Sequence, residues 1–355
     1  MAAPARTGFD RLSARSRQVP RPSISIPEET IVLISTLEQP SPGPGRHEKY
    51  DRLIAAAQAL PRLRVAVAHP CDQSALVAAL EAAALGIIEP ILVGASARVE
   101  AAAAALGADI ASFPRVEAAH SHDAAERAVA LVRAGEAEAL MKGSLHTDEL
   151  LAAVVRRDSG LRTARRLSHC YVMDVPGHPT PLIVTDAAVN IAPSLEEKRD
   201  ITQNAIDLAR ALGVETVRVA ILSAVETVNS KLISTLDAAA LCKMADREQI
   251  TGAMLDGPLA LDNAIDLGAA QIKKIRSPVA GQANVLVAPD LTAGNILAKS
   301  LTFLAGADAA GIVLGARGPI ILTSRADARS TRLASCAVAS LVAAAERARR
   351  VLPEV

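Results

Sequence analysis

Apolar positions along this chain change their period repeatedly. Residues 50–59, 74–85 and 124–134 carry apolar side chains at helical spacing, while 64–68, 90–93 and 137–141 are short apolar runs. Helices alternating with such runs predict βαβ units, hence a parallel sheet covered by helices. Further strands are predicted at 170–173, 182–184, 218–222, 253–255, 284–288 and 320–322. The first two flank Asp174-Val175-Pro176-Gly177-His178-Pro179, whose turn-forming residues make the pair a hairpin. Ser194 and Glu197 form a capping box at the start of one helix, and Gly213 closes its other end. An Ala-rich helical stretch runs from about 328 to 349.

Residues 1–46 lack this patterning. They combine an Ala, Arg, Pro and Ser segment with a breaker cluster, Ser41-Pro42-Gly43-Pro44-Gly45, and read as a poorly ordered tail. Half of the 355 residues are apolar, enough for the cores of two domains. No apolar run reaches membrane-spanning length and no secretory leader is present, so a cytoplasmic protein is expected. Basic and acidic residues balance at 38 each, which speaks against a nucleic-acid partner or an anionic membrane surface. With no Trp, two Tyr and three Phe there is no base-stacking platform. Cys71, Cys170, Cys242 and Cys336 are scattered without C-x-x-C spacing, so free thiols are expected rather than a zinc site or disulfides, and no metal is expected elsewhere.

Candidate chemistry gathers where predicted strands end. Lys142-Gly143-Ser144-Leu145-His146-Thr147-Asp148 follows the 137–141 run. Thr147 suits the N-cap of the next helix, and Lys142, Gly143, Ser144 and Thr147 suit a ligand crevice beyond the carboxyl ends of the strands. The same residues also read as a capped turn with a solvated Lys, and the Walker pattern is missing. Asp186 and Asn190, in the loop leaving 182–184, either bond that loop or face the cleft. Ser223, Asp256 and Asp290 follow other strands and are expected to share one rim with Ser324. Arg156, Arg157, Arg162, Arg165 and Arg166 make either a surface linker or a patch for a polyphosphate. In Gly315-Ala316-Arg317-Gly318-Pro319-Ile320-Ile321-Leu322-Thr323-Ser324-Arg325-Ala326-Asp327 a strand hands over to the last helix at Ser324. Free N–H groups and the positive dipole end of a helix hold phosphate, which places Ser324 and Arg325 where an anion would bind. Ser324-x-x-Asp327 is equally a capping box.

Taken in order, Lys142-Gly143, Val184-Thr185-Asp186, Asn190-Ile191-Ala192-Pro193, Ala224-Val225-Glu226-Thr227-Val228-Asn229, Leu236-Asp237-Ala238-Ala239-Ala240-Leu241, Asp256-Gly257-Pro258-Leu259-Ala260, Pro289-Asp290 and Thr323-Ser324-Arg325 resemble the phosphate acetyl/butyryl transferase family. The resemblance covers roughly residues 47–350 and is densest from 182 onward. It implies a two-domain, doubly wound α/β fold like that of the isocitrate and isopropylmalate dehydrogenases, with the cleft between domains. Residues 47–160 with 313–355 would form one domain, and 161–312 the inserted second. The implied reaction is acyl-CoA plus phosphate giving acyl phosphate plus coenzyme A, in a homodimer or larger homo-oligomer, without a cofactor, metal or covalent intermediate. Arg325 would hold phosphate, Ser324 would donate to the oxyanion, and Asp327 stands nearest as a base for the thiol. Lys142, Gly143, Ser144, Thr147, Asp186, Asn190, Asp256 and Asp290 would line the substrates. Acetyl-specific members place an Asp seven residues after the serine, where this chain has Thr331. A binding module that has lost its base, or a dehydrogenase of related architecture, are the alternatives. A dehydrogenase would require a G-x-G-x-x-G after a strand, and none is present.

Overall fold

The computed structural model describes residues 48–323 and 327–351; the predicted tail 1–46 and the candidates Ser324 and Arg325 lie outside the described residues. The elements run α1 Glu48–Gln58, β1 Leu63–Ala68, α2 Gln73–Ala84, β2 Ile88–Gly94, α3 Ser96–Leu106, β3 Arg115–Glu117, α4 Ser121–Ala134, β4 Ala139–Lys142 and α5 Thr147–Val154. They continue as β5 Ser168–Asp174, β6 Leu182–Thr185, α6 Leu195–Ala211, β7 Arg218–Leu222, α7 Ile233–Asp246, β8 Met254–Leu259, α8 Leu261–Ile265 and α9 Leu267–Ile272. The chain ends with β9 Val285–Val287, α10 Leu291–Phe303, β10 Asp308–Leu314, β11 Ile320–Ile321 and α11 Arg329–Val351.

Helix ends follow local chemistry. At α6 the Glu197 N–H donates to Ser194 Oγ at 3.3 Å while the Ser194 N–H donates to Glu197 Oε2 at 2.9 Å, so both arms of the predicted box are made. Gly213 follows this helix at a positive φ of 81°. Two predicted caps differ. His146, rather than Thr147, is the N-cap of α5, and Thr147 is its first helical residue. Because α11 starts only at Arg329, Asp327 precedes the helix and cannot take the N3 place of a box.

Among the described residues the strands make one sheet, in the order β3-β2-β1-β4-β11-β10-β5-β6-β9-β7-β8. β3, β2, β1, β4 and β11 are parallel to one another, as are β6, β9, β7 and β8. The pairings β11/β10, β10/β5 and β5/β6 are antiparallel, the last being the predicted hairpin. The βαβ spacing predicted parallel strands beside one antiparallel hairpin; in addition β10 pairs antiparallel with both β11 and β5, so that β5 and β10 join two parallel blocks. β10 is an unpredicted strand and runs across the expected domain boundary at 312/313.

Two segments carry the chain between blocks, 155–167 and 315–319, and they are tied together. Arg162 bridges Ala316, the Arg317 N–H donates to Leu161 O at 2.9 Å, and Thr163 Oγ1 donates to Gly315 O at 2.7 Å.

Strand side chains alternate faces. On one face a single apolar core passes under both blocks, from Val65 and Met141 through Cys170 and Ile312 to Val285 and Ile221, covered by α2, α3, α6, α7 and α11. On the other face the core is in two pieces. Ala66, Leu140, Val313 and Ile320 pack under α4 and α5, whereas Met173, Val184, Leu286 and Ala309 pack with residues of α8, α9 and α10.

Candidate functional site

The break between these two pieces falls at the β11–β10–β5 region, where His169, Tyr171 and Gly311 replace aliphatic side chains. The register opposes Val313 to His169 and Gly311 to Tyr171, so all four share the divided face. This seam is where the two blocks leave the sheet without a continuous cover of apolar side chains.

At the seam's first side β1 and β4 end together. The Gly143 N–H donates to Ala68 O at 2.9 Å, and the Ser144 N–H and Oγ both donate to His69 O at 2.8 Å. Ser144 Oγ also accepts the Cys71 N–H at 3.2 Å. Only glycine fits at 143, because a Cβ there would stand 2.3 Å from Ala68 O. Lys142 is 8% exposed and directs Nζ to Gly143 O and Leu145 O at 3.4 and 3.3 Å. Ser144 and Gly143 thus lock one strand exit onto the other, beside a buried ammonium. Cys71 Sγ lies 3.5 Å from His69 Nδ1; burial raises the thiol and lowers the imidazole, so both groups are held neutral.

Across the seam Asp186 is buried and saturated. Its Oδ1 accepts the N–H groups of Ala188 and Val189, and its Oδ2 accepts those of His169 and Asn190 together with the Asn190 amide at 2.5 Å. Asn190 Nδ2 also donates to Leu167 O, while its Oδ1 accepts Arg166 Nε at 2.7 Å. Of the two readings left open for this pair, bonding the loop is what the structure displays. Asp290 caps α10 through the Ala293 N–H at 2.9 Å. Asp256 lies within β8 rather than beyond it and accepts the Gly257 N–H at 2.8 Å.

The expected rim is divided between the two edges of the sheet. Three successive antiparallel pairings reverse the second block relative to the first. The exits of β7 and β9, with Ser223 and Asp290, and the end of β8, with Asp256 in its strand, therefore belong to one edge of the sheet. The exits of β4 and β11, with Lys142 and Thr323, belong to the other.

His169 and Tyr171 are site residues that the sequence reading missed. Their rings meet edge to face at 4.4 Å. His169 is 1% exposed with Nδ1 unpartnered, and burial pushes it down to about 4 against the opposing pull of Asp186. Tyr171 is half-buried, and burial together with the Asp327 charge raises its phenol. A signal existed in the sequence: two polar rings at alternate positions interrupt an otherwise apolar strand.

The arginine cluster is largely neutralised. Arg156 pairs with Glu126 at 2.7 Å, Arg165 with Asp207 at 2.5 Å, and Arg166 with Glu197 at 3.1 Å. Arg165 lines a pocket of about 390 Å³ between α6, α11 and the two tied crossovers, on the face with the continuous core. Among the described residues no group of three or more His, Cys, Asp or Glu is placed to hold a metal ion. Nor is any described helix long and apolar enough to cross a membrane.

Residues 115–340 match the family model described as phosphate acetyl/butaryl transferase. The chain is 62% identical to a phosphate acetyltransferase of Rhizobium meliloti, over 87% of this chain and 98% of that one. It is 39% identical to a phosphate butyryltransferase of Clostridium acetobutylicum, over 83% and 98%. A crystal structure of a branched-chain phosphotransacylase from Enterococcus faecalis superimposes with a TM-score of 0.69 at 28% identity, covering 79% of this chain and 99% of that one. The fold is thus the doubly wound, dehydrogenase-like class expected from the sequence.

Proposed function

The chain belongs to the phosphate acetyl/butyryl transferase family and is a phosphate acyltransferase, and from that premise we propose that acetyl is the group it transfers, between coenzyme A and inorganic phosphate. The observation that carries the acetyl assignment is the 62% identity to the Rhizobium meliloti acetyltransferase, against 39% to the Clostridium acetobutylicum butyryltransferase.

In this reading phosphate oxygen attacks the thioester carbonyl, the C–S bond breaks, and the departing thiolate takes up a proton. Arg325 grips the phosphate through charge-assisted hydrogen bonds and Ser324 donates to the carbonyl oxygen as it becomes an oxyanion. Asp327 is the carboxylate assigned to the thiol proton, and its electrostatic reach to Tyr171 supports a place beside the seam. Coenzyme A and phosphate are both substrates, with no resident cofactor. The split apolar core supports a partition into 47–160 with 313–355 and 161–312, with the substrates bound in the gap.

A homodimer in the cytoplasm completes the proposal. Phe303 and Leu304, 77% and 86% exposed at the end of α10, support a covered surface there. Sedimentation showing a monomer at every concentration would overturn that part. The decisive assay for the reaction itself is coenzyme A release from acetyl-CoA and from butyryl-CoA, with and without phosphate. Release should require phosphate and favour acetyl-CoA; equal or greater turnover of butyryl-CoA would refute the acetyl assignment.

A further inference from the structure

We propose that the pocket between α6, α11 and the two tied crossovers is a binding site for an α-amino acid with an aliphatic side chain. It lies on the face with the continuous core, away from the divided seam, and the inference does not depend on which acyl group the protein transfers.

The pocket has a volume of about 390 Å³, within the range that holds small molecules. Asn204, Asp207, Leu208 and Ala211 line it from α6, and Val342, Ala345, Glu346 and Arg349 from α11. Each set follows the i, i+3, i+4, i+7 spacing of one helix face, so two helix faces turn toward a shared gap. The crossovers close its end. Gly315 keeps room there beside the amide of Asn204, because a Cβ on it would come within 3.0 Å of Asn204 Nδ2.

The lining defines its ligand, beginning with an acceptor left without a donor. Asn204 is 2% exposed, and its Nδ2 donates to Arg166 O and to Ser168 Oγ, each at 2.9 Å. A backbone carbonyl only accepts, so the bond to Arg166 fixes which end of the amide is nitrogen. Oδ1 receives no hydrogen bond from any described residue and is not sealed in the core, so it opens onto the pocket. An amide oxygen held in that state calls for a donor from a ligand.

Charge narrows the class further. Arg165 and Arg349 both direct Nη1 to Asp207 Oδ2, at 2.5 and 3.5 Å, so two guanidiniums share one carboxylate oxygen and keep most of their N–H groups for another anion. Glu346 balances the second cation, and the lining carries no net charge. A zwitterion preserves that balance, whereas a simple carboxylate would add an uncompensated negative charge beside Asp207 and Glu346. The rest of the wall, with Leu208, Leu314, Val342 and Ala345, is apolar and suits an aliphatic side chain. The ligand's carboxylate then bridges Arg165 and Arg349, its ammonium donates to Asn204 Oδ1, and its side chain covers the apolar wall. Since α6 and α11 fall in different parts of the proposed partition, a bound ligand touches both and favours the arrangement in which the two walls face each other.

The test is isothermal titration of the full chain with L-leucine, L-isoleucine and L-valine, beside isocaproate, which lacks the ammonium, and isoamylamine, which lacks the carboxylate. We expect one saturable site for at least one of the amino acids, with affinity lower by about tenfold or more for both truncated probes. Ala345→Leu, which fills the wall, and Arg165→Ala, which removes a surface guanidinium, should each weaken binding by about tenfold or more. Coenzyme A release by Ala345→Leu should equal the wild-type rate. No saturable heat from any of the three amino acids at concentrations up to about 20 mM would overturn the proposal. Equal binding of isocaproate would overturn the assignment of an amino acid, and undiminished binding in folded Ala345→Leu would overturn its place. Should that variant fail to fold, Arg165→Ala decides instead, undiminished binding again overturning the proposal. Slower coenzyme A release by folded Ala345→Leu would put the pocket in the substrate site, which overturns it too. Titration needs no turnover, so failure of the acyltransferase reading and failure of this proposal are told apart.

Discussion

The Asn190 side-chain amide donates to Asp186 Oδ2 at 2.5 Å, within a carboxylate that also receives four backbone N–H groups. These bonds hold the loop after β6 against the start of β5 and, through Asn190 Oδ1, orient Arg166. Asp186→Ala would leave several buried donors unpaired, each costing roughly 1–3 kcal/mol. A loss of at least about 3 kcal/mol is expected in chemical denaturation, whereas Asp186→Asn should lose less because one side-chain oxygen stays an acceptor. A substrate-only role for Asp186 would instead leave the denaturation midpoint of Asp186→Ala at the wild-type value.

Gly143 illustrates a different constraint, that of close backbone approach. The methyl of Gly143→Ala would meet Ala68 O at 2.3 Å and His69 O at 2.5 Å, both backbone atoms with no freedom to rotate away. Separating the β1 and β4 exits to admit it should cost about 1–3 kcal/mol. It should also disturb the 2.8 Å bonds from Ser144 to His69 O. Gly177→Ala, at a positive φ of 79° but with nothing within 4 Å of its added carbon, should cost less. Equal melting temperatures for the two variants would show that the close approach is not the limiting feature.

Burial of the His169 imidazole predicts a pH dependence of stability. Its folded value, about 4, lies below the ordinary 6.5, so on acidification the unfolded chain takes up the proton first. The stabilisation is complete above about 6.5, declines as pH falls from there to about 4, and is level below. Denaturation midpoints between pH 7 and pH 4 should therefore fall more steeply in wild type than in His169→Gln, which has no proton to gain. Parallel curves would mean that the imidazole is not held neutral.

Much of this architecture is legible in local sequence, and what escapes is long-range. Residues 64–68 and 218–222 are found as strands because each is a compact apolar run, and Ser194 with Glu197 marks a helix start through bonds three residues apart. Strand direction is another matter. Whether the exits of β4 and β7 share an edge depends on how many antiparallel pairings intervene, a property of chain segments over a hundred residues apart. Asp308-Ala309-Ala310-Gly311-Ile312-Val313-Leu314 hides as a strand because small residues begin it; one of them, Gly311, is small since two rings press on it. The predicted substrate residues Asp186, Asn190 and Asp290 are polar residues in loops, and in this fold the loop backbone absorbs their hydrogen bonds. His169 and Tyr171 escaped notice because a strand of mostly apolar residues draws attention to packing rather than chemistry.

Arg325 gives the sharpest kinetic prediction, because phosphate recognition depends on the shape of the cation as well as its charge. A guanidinium offers a planar fork that meets two phosphate oxygens at once, while an ammonium meets them as a point charge. Arg325→Ala removes both features and should lower kcat/KM for phosphate by about a hundredfold or more, with the circular dichroism spectrum unchanged. Arg325→Lys restores the charge alone and should recover only part of that loss. The ordering wild type, then Lys, then Ala should hold for phosphate in the forward direction and for acetyl phosphate in reverse, since both carry the same oxygens. Affinity for free coenzyme A should change less than either. If Arg325→Lys matched wild type, simple charge neutralisation would suffice; if Arg325→Ala kept full activity, the phosphate would have to be held by other residues of the chain.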